Sequence, residues 1–447
     1  MSGKWVLALD MGTSSTRAIV YDENLAEVPD LKSQVPYGMR TTPDGGLQGD
    51  PGLLFSAVVQ TIDEVLARAE DQASRIRAVG CSCFWHSLMG VDRHNTPLTP
   101  VYTWADTRSR GEADRLREEL DIRKVHELTG CFIHPSYWPP KLRWLRTRNA
   151  ELFRRVDRFV SFGEYVYRCF FDDAGVSLSM ASATGLLNRH TLDWEPSMLE
   201  ATGVEPERLG RLIDLDEPSR GLREEWAERW PALREIPWVP PAGDGALSNL
   251  GAGATDEETV AVVMGTSGAA RVMFEGGDGG EVPWGLFCYR LDRRRGVIGG
   301  AISNAGNVIR WMHDTLKLGS LEAVEKELEA NPPKNHGLKV VPSFAGERSL
   351  AWDDRATASI EGLTLDTKAI EIYAATLEAM VDRFHEIMGA LKVRFPGLKR
   401  MALGGGVIGH SPYIARRLGR GGGLVTENVR AELSSIGAAR AALAILG

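Results

Sequence analysis

The feature that most constrains the fold is a short turn that occurs twice. The segment "VLALDMGTSSTR", residues 6–17, shares Met-Gly-Thr-Ser with "VAVVMGTSGAAR", residues 260–271. Each copy lies between two apolar runs, so each predicts a β-hairpin. The tetrapeptide alone carries little weight, because a chain of this length offers about 10⁵ pairs of positions. The shared context predicts that each copy opens one half of the chain.

Length and pattern together favour two α/β domains. The 447 residues suit two domains of roughly 200 residues each better than one core. Apolar strand-like runs alternate with amphipathic helical patterns, as in α/β proteins. Prolines and glycines cluster in "REIPWVPPAGDGALSNLGAG", before the second hairpin, as is typical of a domain boundary. We therefore predict domains over residues 1–243 and 244–447.

Composition narrows the setting and the partners. The net charge of −8 and the pI near 5.7 argue against nucleic-acid binding. No apolar run approaches the roughly 20 residues that span a bilayer, and the N-terminus lacks the pattern of a signal peptide. The five cysteines include no CxxC pair and suit a reducing compartment. The sequence predicts a cytoplasmic protein without a membrane or nucleic-acid partner.

The two turns are suited to binding phosphate. Glycine, threonine and serine between two strands present backbone N–H groups and hydroxyls without bulk, which a phosphate chain needs. A tight hairpin without a ligand is the alternative for either copy alone. Two such turns facing one cleft would hold phosphates from both sides. The candidate phosphate-binding residues are Gly12, Thr13, Ser14, Gly265 and Thr266.

Two aspartates are candidates for chemistry. Asp10 ends the strand before the first turn, where the second copy has Val263. It is either a turn-capping residue or a ligand for the Mg²⁺ that accompanies a nucleotide. Asp244 lies between glycines that would let a substrate approach the backbone. It is either the N-cap of a helix or a general base beside a substrate hydroxyl.

Polar and aromatic residues are concentrated in "CFWHSLMGVDRHNTPLTPVYTWADTRS", which follows a buried strand pattern. A polyhydroxylated ligand needs hydrogen-bonding groups beside an apolar wall, and this segment supplies both. For a lone histidine, the alternative is a satisfied core residue. The candidate substrate-binding residues are Trp85, His86, Trp104, Asp106 and Arg108.

A glycine-rich turn lies near the C-terminus. The segment "LGGGVIGHSPY", residues 403–413, places Gly405 and Gly406 between a strand pattern and a helix pattern. Such a turn can hold a nucleotide, although three glycines alone are a weak signal.

The order of these motifs resembles that of the FGGY carbohydrate kinases, and the resemblance covers nearly the whole chain. "LALDMGTSSTRAIVYD" is similar to the first phosphate motif of the family and "GDGALSNLGAG" to its catalytic-aspartate segment. "VMGTSGAARVM" resembles the second phosphate loop and "LGGGVIGHS" the adenosine motif. Within the family the likeness is strongest to the gluconate kinases, through segments that include "GGAISNAGNVIRW" and "AGERS". Trp85 departs from the pattern, since relatives commonly carry methionine there.

The resemblance implies a fold, a reaction and residue roles. The fold would be two actin-like (ribonuclease H-like) α/β domains, with ATP, Mg²⁺ and a small sugar or sugar acid in the cleft between them. Asp244 would deprotonate a hydroxyl of a sugar acid, which the likeness to gluconate kinases implies is gluconate. Asp10 would act near Mg²⁺ and the phosphates. His86, Trp104 and Asp106 would hold the substrate.

Three alternatives stay open at the level of sequence. The same scaffold serves ketoses and polyols such as xylulose. An actin- or chaperone-like ATPase would have little use for the pocket around His86. A non-catalytic sugar sensor is expected to lack an acid at position 244, which this chain keeps. The sequence does not fix the oligomeric state, and a homodimer is compatible with it.

Overall fold

The computed structural model describes residues 3–421, 424–430 and 432–447. The strands are β1 (Trp5–Met11), β2 (Ser15–Tyr21), β3 (Glu27–Pro36), β4 (Arg40–Thr41), β5 (Leu47–Gly49), β6 (Ile76–Cys83), β7 (Met89–Val91), β8 (Val101–Tyr102), β9 (Arg158–Val160), β10 (Val176–Ser177), β11 (Leu187–Asn188), β12 (Asp193–Trp194), β13 (Leu212–Ile213), β14 (Ala242–Gly243), β15 (Thr259–Met264), β16 (Gly268–Glu275), β17 (Phe287–Arg290), β18 (Arg295–Ile302), β19 (Lys339–Val341), β20 (Ser359–Glu361), β21 (Arg400–Gly404) and β22 (Val425–Arg430).

The predicted alternation with helices is confirmed. Helix α1 begins at Pro51 because Asp50 accepts a hydrogen bond from Leu53 N and caps it. The helices are α1 (Pro51–Ala69), α2 (Arg110–Glu119), α3 (Ile122–Thr129), α4 (Trp138–Arg148), α5 (Ala150–Arg155), α6 (Phe162–Phe170), α7 (Leu178–Ser182), α8 (Pro196–Thr202), α9 (Glu224–Arg229), α10 (Asp244–Ala252), α11 (Gly306–Leu316), α12 (Leu321–Ala330), α13 (Ala369–Arg394), α14 (Gly406–His410), α15 (Pro412–Gly421) and α16 (Leu433–Ile445). Short 3₁₀ helices cover Glu70–Arg75, Pro206–Arg208 and Pro231–Leu233.

Two principal sheets share one topology. The first has the strand order β3-β2-β1-β6-β14, and the second has β18-β16-β15-β21-β22 with β17 added beside β18. In both sheets adjacent strands among the first three of this order are antiparallel. The fourth and fifth strands run parallel to the third. Each Gly-Thr-Ser turn joins the antiparallel central pair, so both predicted hairpins are confirmed. The predicted fold of two actin-like α/β units is confirmed as well.

Each sheet is covered by helices that bury its apolar residues. Strand β1 is buried along its whole length, with α1 against β2 and β3 and α16 against β1 and β6. In the second sheet α13 packs against β16 and β18 and contributes a buried stripe that includes Leu377, Phe384 and Leu391. Because strands buried on both faces read as continuous apolar runs, these segments were recognisable in the sequence. Within the described residues, no helix is long and apolar enough to cross a bilayer.

Helices α10 and α16 connect the two sheets. They pack closely on each other, while α16 lies on the first sheet and α10 contacts β15, β16 and β21 of the second. Glycines permit this approach: a Cβ on Gly251 would lie 1.9 Å from the carbonyl oxygen of Leu433, and one on Gly437 would lie 2.0 Å from that of Leu247. The C-terminal helix therefore packs on the sheet of the N-terminal half. The boundary between residues 243 and 244 stays a prediction.

A second connection joins the two halves of the chain through the loop after β19. The ring of Trp352, which follows β19, stacks on Phe132 from the N-terminal half with 4.5 Å between centroids. Nearby, Asp354 is buried and forms ion pairs with Arg110 at 2.8 Å and Arg117 at 3.3 Å. The chain segment that carries Trp352 and Asp354 also carries Arg348, which lines the first cavity described below.

Candidate active site

Two neighbouring cavities lie in the cleft between the sheets. The first has a volume of about 220 Å³ and the second a volume of about 490 Å³. Gly265 and Thr266 line both cavities. The second Gly-Thr-Ser turn therefore lies at their junction, where a group transferred from one ligand to the other would have to pass.

The first turn faces the same cavity through Thr13. Gly12 and Ser14 lie outside the lining and hold the turn in shape. Gly12 N donates to the carbonyl of Ser15 at 3.0 Å, and the Tyr37 hydroxyl donates to the carbonyl of Gly12 at 2.6 Å. The backbone of Tyr37 also donates to the carbonyl of Ser14 at 3.0 Å. Both turns thus meet at one cavity.

The second turn is held by helix α11. Gly265 N donates to the carbonyl of Ser267 at 2.9 Å, which closes the turn. The carbonyls of Gly265 and Thr266 accept hydrogen bonds from Gly306 N at 3.0 Å and Asn307 N at 3.2 Å. The start of α11 therefore satisfies both carbonyls, while Gly265 and Thr266 line the two cavities.

Asp244 stands in the wall of the first cavity as the first residue of α10. The N-cap position belongs to Gly243, so the interpretation of Asp244 as the capping residue does not hold. Burial raises the pKa of Asp244 to about 6, although the nearby guanidinium of Arg271 lowers it and the charge of Asp10 raises it further. A carboxylate with a pKa close to neutrality is suited to accept a proton from a hydroxyl.

The glycines beside Asp244 make room for side chains of the protein itself. A Cβ on Gly243 would lie 1.8 Å from Nε1 of Trp85, and one on Gly245 would lie 2.8 Å from Cζ of Arg271. The sequence suggested that this space admits a substrate. In the structure, Trp85 and Arg271 occupy it and form part of the cavity wall.

His86 and the two tryptophans line the first cavity, as predicted for a pocket. The Nδ1–H of His86 donates to the carbonyl of Ala183 at 2.6 Å, because a carbonyl can only accept. Burial lowers the pKa of His86 to about 3, so the ring is neutral and Nε2 is free to accept a hydroxyl hydrogen. Trp85 is fixed by a hydrogen bond from Nε1 to the carbonyl of Ser179 at 2.9 Å. Trp104 provides the apolar wall.

Asp106 and Arg108 are not brought to this cavity. They form a buried ion pair with each other, with 2.5 Å between Arg108 Nη2 and Asp106 Oδ2. Arg108 also donates to Gln48 Oε1 at 2.7 Å, and Asp106 accepts from Leu47 N at 3.3 Å. The pair therefore braces the segment that carries Trp104. A direct contact of either residue with substrate stays a prediction.

Asp10 is buried beside the first turn, outside the cavity lining. Its Oδ2 accepts a hydrogen bond from the hydroxyl of Ser434 at 2.9 Å and lies 3.8 Å from Arg17 Nη1. Arg17 in turn pairs with Glu432 at 2.6 Å. Burial raises the pKa of Asp10, which marks a carboxylate short of compensating charge. A divalent cation would supply that charge.

The donor set around Asp10 fits Mg²⁺ held together with a nucleotide. Among the described residues, no group of three or more His, Cys, Asp or Glu side chains could hold a metal by itself. Mg²⁺ commonly keeps several waters and binds one or two carboxylates plus substrate phosphates. Asp10 would supply the carboxylate, and the two turns would hold the nucleotide phosphates that complete such a site.

The second cavity has a mostly apolar lining. Gly406, at the start of α14, lines it together with Ile309, Tyr373 and Val407. Gly405 does not line it, but has φ +90°, and a Cβ there would lie 2.4 Å from the carbonyl oxygen of Met264. Glycine is therefore required at 405 for the close approach of the chain to β15. The predicted glycine-rich turn borders the second cavity through Gly406, and its contact with a nucleotide stays a prediction.

Two cavity residues were not singled out from the sequence. Arg271 on β16 and Arg348 in the loop after β19 both line the first cavity. The guanidinium of Arg348 lies over the ring of Trp104, with 4.5 Å to the centroid. Both arginines occur in segments that carried the family resemblance, "VMGTSGAARVM" and "AGERS". Their place in these two segments was the only signal that we could have used, and it did not indicate that the two side chains line the same cavity.

The chain is similar to known kinases along most of its length. A gluconokinase of Bacillus subtilis (strain 168) is 32% identical in an alignment of 399 residues that covers 87% of this chain and 77% of that relative. The solved gluconate kinase from Lactobacillus acidophilus superposes with a TM-score of 0.89 at 24% identity, covering 100% of this chain and 90% of that one. A ligand-bound xylulose kinase from the same organism gives 0.90 at 24% identity, with 99% and 90% covered.

The domain families match both halves of the chain. Residues 5–251 match the N-terminal domain, and residues 260–445 the C-terminal domain, of the FGGY family of carbohydrate kinases. The two matches follow each other in the order of the two sheets, each beginning at or beside the first strand of its hairpin. With both domains, the cleft between them and the two turns in place, the chain belongs to the FGGY family of carbohydrate kinases, which are ATP-dependent phosphotransferases.

Proposed function

We propose that this kinase transfers the γ-phosphate of ATP to a hydroxyl of a sugar acid, and that gluconate is its substrate. The observation that carries the proposal is the position of Asp244 in the wall of the first cavity. The second Gly-Thr-Ser turn lines both this cavity and the larger second one. The similarity to two gluconate kinases supports the choice of substrate.

The proposed reaction follows from this arrangement. The sugar acid lies in the first cavity, with the Nε2 atom of His86 accepting a hydrogen bond from one hydroxyl and Trp104 packed against the carbon chain. Asp244 accepts the proton of the reacting hydroxyl as its oxygen forms a bond to the γ-phosphorus. The bond from that phosphorus to the bridging oxygen breaks, and ADP leaves with the electron pair. The amides of the two turns stabilise negative charge on the transferred group.

Asp10 is the residue proposed to hold Mg²⁺ on the nucleotide. When bound, the ion supplies positive charge that offsets the charge of the phosphates. Ser434 and Arg17 keep the Asp10 carboxylate in one orientation through their contacts with Oδ2. The two acids thereby have separate tasks, with Asp10 at the phosphates and Asp244 at the sugar.

The second candidate is phosphorylation of a ketose, because a xylulose kinase superposes as well as a gluconate kinase does. A screen that couples ADP release to a spectroscopic signal separates the two. Gluconate, xylulose, ribulose, glycerol and related polyols are each offered with ATP and Mg²⁺. We expect gluconate to give the largest kcat/KM. A larger value for xylulose would favour the second candidate, and no stimulation by any compound would overturn the proposal of a sugar kinase.

The pH profile of kcat/KM gives a second test. Asp244 must be deprotonated to act as a base, and its pKa lies at about 6 rather than 3.8. Activity is therefore expected to fall tenfold per pH unit below about pH 6 and to be level just above it. His86 does not titrate in this window, since its pKa is lowered to about 3. If kcat/KM fell only below about pH 4, rather than below about pH 6, the result would argue against Asp244 as the base.

Location and assembly complete the proposal. All five cysteines are free thiols, and Cys81, Cys83, Cys131 and Cys288 are buried. Unpaired cysteines suit the reducing cytoplasm, where we place the reaction. A homodimer stays a prediction that sedimentation would test.

A further inference from the structure

The first cavity contains two guanidinium groups whose hydrogen-bonding capacity is only partly used by the described residues. Within the described residues, the side chain of Arg271 makes no hydrogen bond, and its Nε and Nη1 atoms are buried. Arg348 has only 8% of its surface exposed. It donates from Nη2 to the carbonyl of Ile302 at 2.9 Å, while its buried Nε has no partner in the described chain. Unpaired buried donors of this kind are costly unless a ligand satisfies them.

The charges around the cavity do not balance. Among the described residues that line it, Asp244 is the single acid facing Arg271 and Arg348. Burial lowers the pKa of Arg348 to about 10, and the positive charge of Arg271 contributes to this lowering. The two cations therefore repel each other. One further negative group in the cavity would neutralise the pair.

Both side chains are held in place by the surrounding structure. Arg271 lies between two glycines: a Cβ on Gly299 would be 2.7 Å from its Cγ, and a Cβ on Gly245 would be 2.8 Å from its Nε. Arg348 is fixed over Trp104 and by its bond to Ile302. Rigid placement lowers the entropy that a ligand would otherwise lose on ordering these long side chains.

We propose that Arg271 and Arg348 form the subsite that binds the carboxylate of the sugar acid. The planar guanidinium matches a carboxylate and forms paired, charge-assisted hydrogen bonds with it. This inference rests on the proposed function and adds the residues that select an acid over an uncharged polyol.

The γ-phosphate is the competing anion, because the turns proposed to hold it also line the first cavity, and the variants below distinguish the two anions. Arg271 and Arg348 line the first cavity and are absent from the lining of the second, where the glycine-rich turn lies. The phosphate chain already has the two turns and Asp10. Arg310 is a cation of the second cavity and serves as the matched control, because its loss should affect the nucleotide.

The test compares D-gluconate with D-gluconamide, which has the same hydroxyls and no charge. The variants are R271Q, R348Q, the charge-retaining R271K and R348K, and the control R310Q. We expect the unmodified kinase to prefer gluconate in kcat/KM by about 100-fold. R271Q and R348Q should each reduce this preference to about tenfold or less, and R310Q should leave it unchanged while raising the KM for ATP. The lysine variants keep the charge but lose the planar pair of donors, so they should have a preference between that of the unmodified kinase and that of the glutamine variants.

A further readout distinguishes lost charge from a damaged fold. Arg271 lowers the pKa of Asp244, so its removal in R271Q should move the acid limb of the pH profile to higher pH. An unchanged preference for gluconate in both glutamine variants would overturn the subsite, and so would a loss confined to the KM for ATP.

Calorimetric titration of gluconate without nucleotide separates this inference from the proposed function. Binding that weakens in R271Q would support the subsite even if the kinase phosphorylates another compound. Gluconate turnover with an unaltered preference in the variants would support the function and refute the subsite. Gluconate binding equal in all forms would refute the subsite as well.

Discussion

Replacement of Asp244 by asparagine is expected to lower kcat by about 10³-fold, with little change in the fold. The amide keeps the shape of the carboxylate and its acceptor oxygen for Gly245 N, which lies 2.8 Å from Oδ1. It cannot accept the proton that leaves the reacting hydroxyl. The measurement is turnover with saturating gluconate and ATP, accompanied by a thermal unfolding curve for each protein.

A matched control is available in Asp214. This residue is also buried, and burial raises its pKa, yet it lines neither cavity. Its carboxylate accepts hydrogen bonds from Leu215 N at 2.8 Å and Arg293 N at 3.0 Å. D214N should therefore change stability while turnover stays within about twofold, since its role is structural. If D244N retained turnover within tenfold of the unmodified enzyme, Asp244 would not be the base.

Replacement of Gly437 by alanine is expected to destabilise the connection between the two sheets. The added methyl group would lie 2.0 Å from the carbonyl oxygen of Leu247, an atom of the main chain that cannot rotate away. Overpacking of this kind costs about 3 kcal/mol, which corresponds to a fall in Tm of about 5–10 °C. Because α10 must shift and Asp244 begins it, turnover should fall in the same variant. Calorimetry and a kinase assay measure both effects.

Gly389 provides the opposite expectation for the same substitution. It lies on the exposed side of α13, and a Cβ there would meet no atom within 4 Å. G389A should raise stability by about 1 kcal/mol, since alanine favours a helix over glycine. Equal effects of alanine at 437 and 389 would show that the contact between α10 and α16 does not support the fold.

The hairpins and Asp244 were predictable because their signals are local. An apolar strand, a Gly-Thr-Ser turn and a second strand occupy fewer than about 20 consecutive residues, and their pairing requires no distant contact. The same holds for α1 and α13, whose apolar periodicity extends over many turns. The glycines around Asp244 were visible too, although only the structure showed that they accommodate Trp85 and Arg271.

The composition of the cavity was less accessible, because it depends on where side chains point. In the segment from Trp85 to Arg108, the two tryptophans and His86 reach the cavity while Asp106 and Arg108 turn to each other. Arg271 and Arg348 come from a strand and a loop 77 residues apart in sequence (348 − 271). Whether both side chains reach the same cavity depends on the register of β16 and on the path of the loop, and a local sequence pattern indicates neither.

The glycine contacts between α10 and α16 have a consequence for how new specificities arise on this scaffold. The two helices touch through main-chain atoms at Gly251 and Gly437, so backbone contact determines how far apart the sheets stand. The side chains of Trp104 and Arg348 line the first cavity, and we expect their exchange to leave this distance unaltered. If these side chains contact the sugar as proposed, its recognition and the spacing of the two sheets are set by different residues. Substitutions at Trp104 and Arg348 are then expected to change substrate preference while the contact between α10 and α16 is kept.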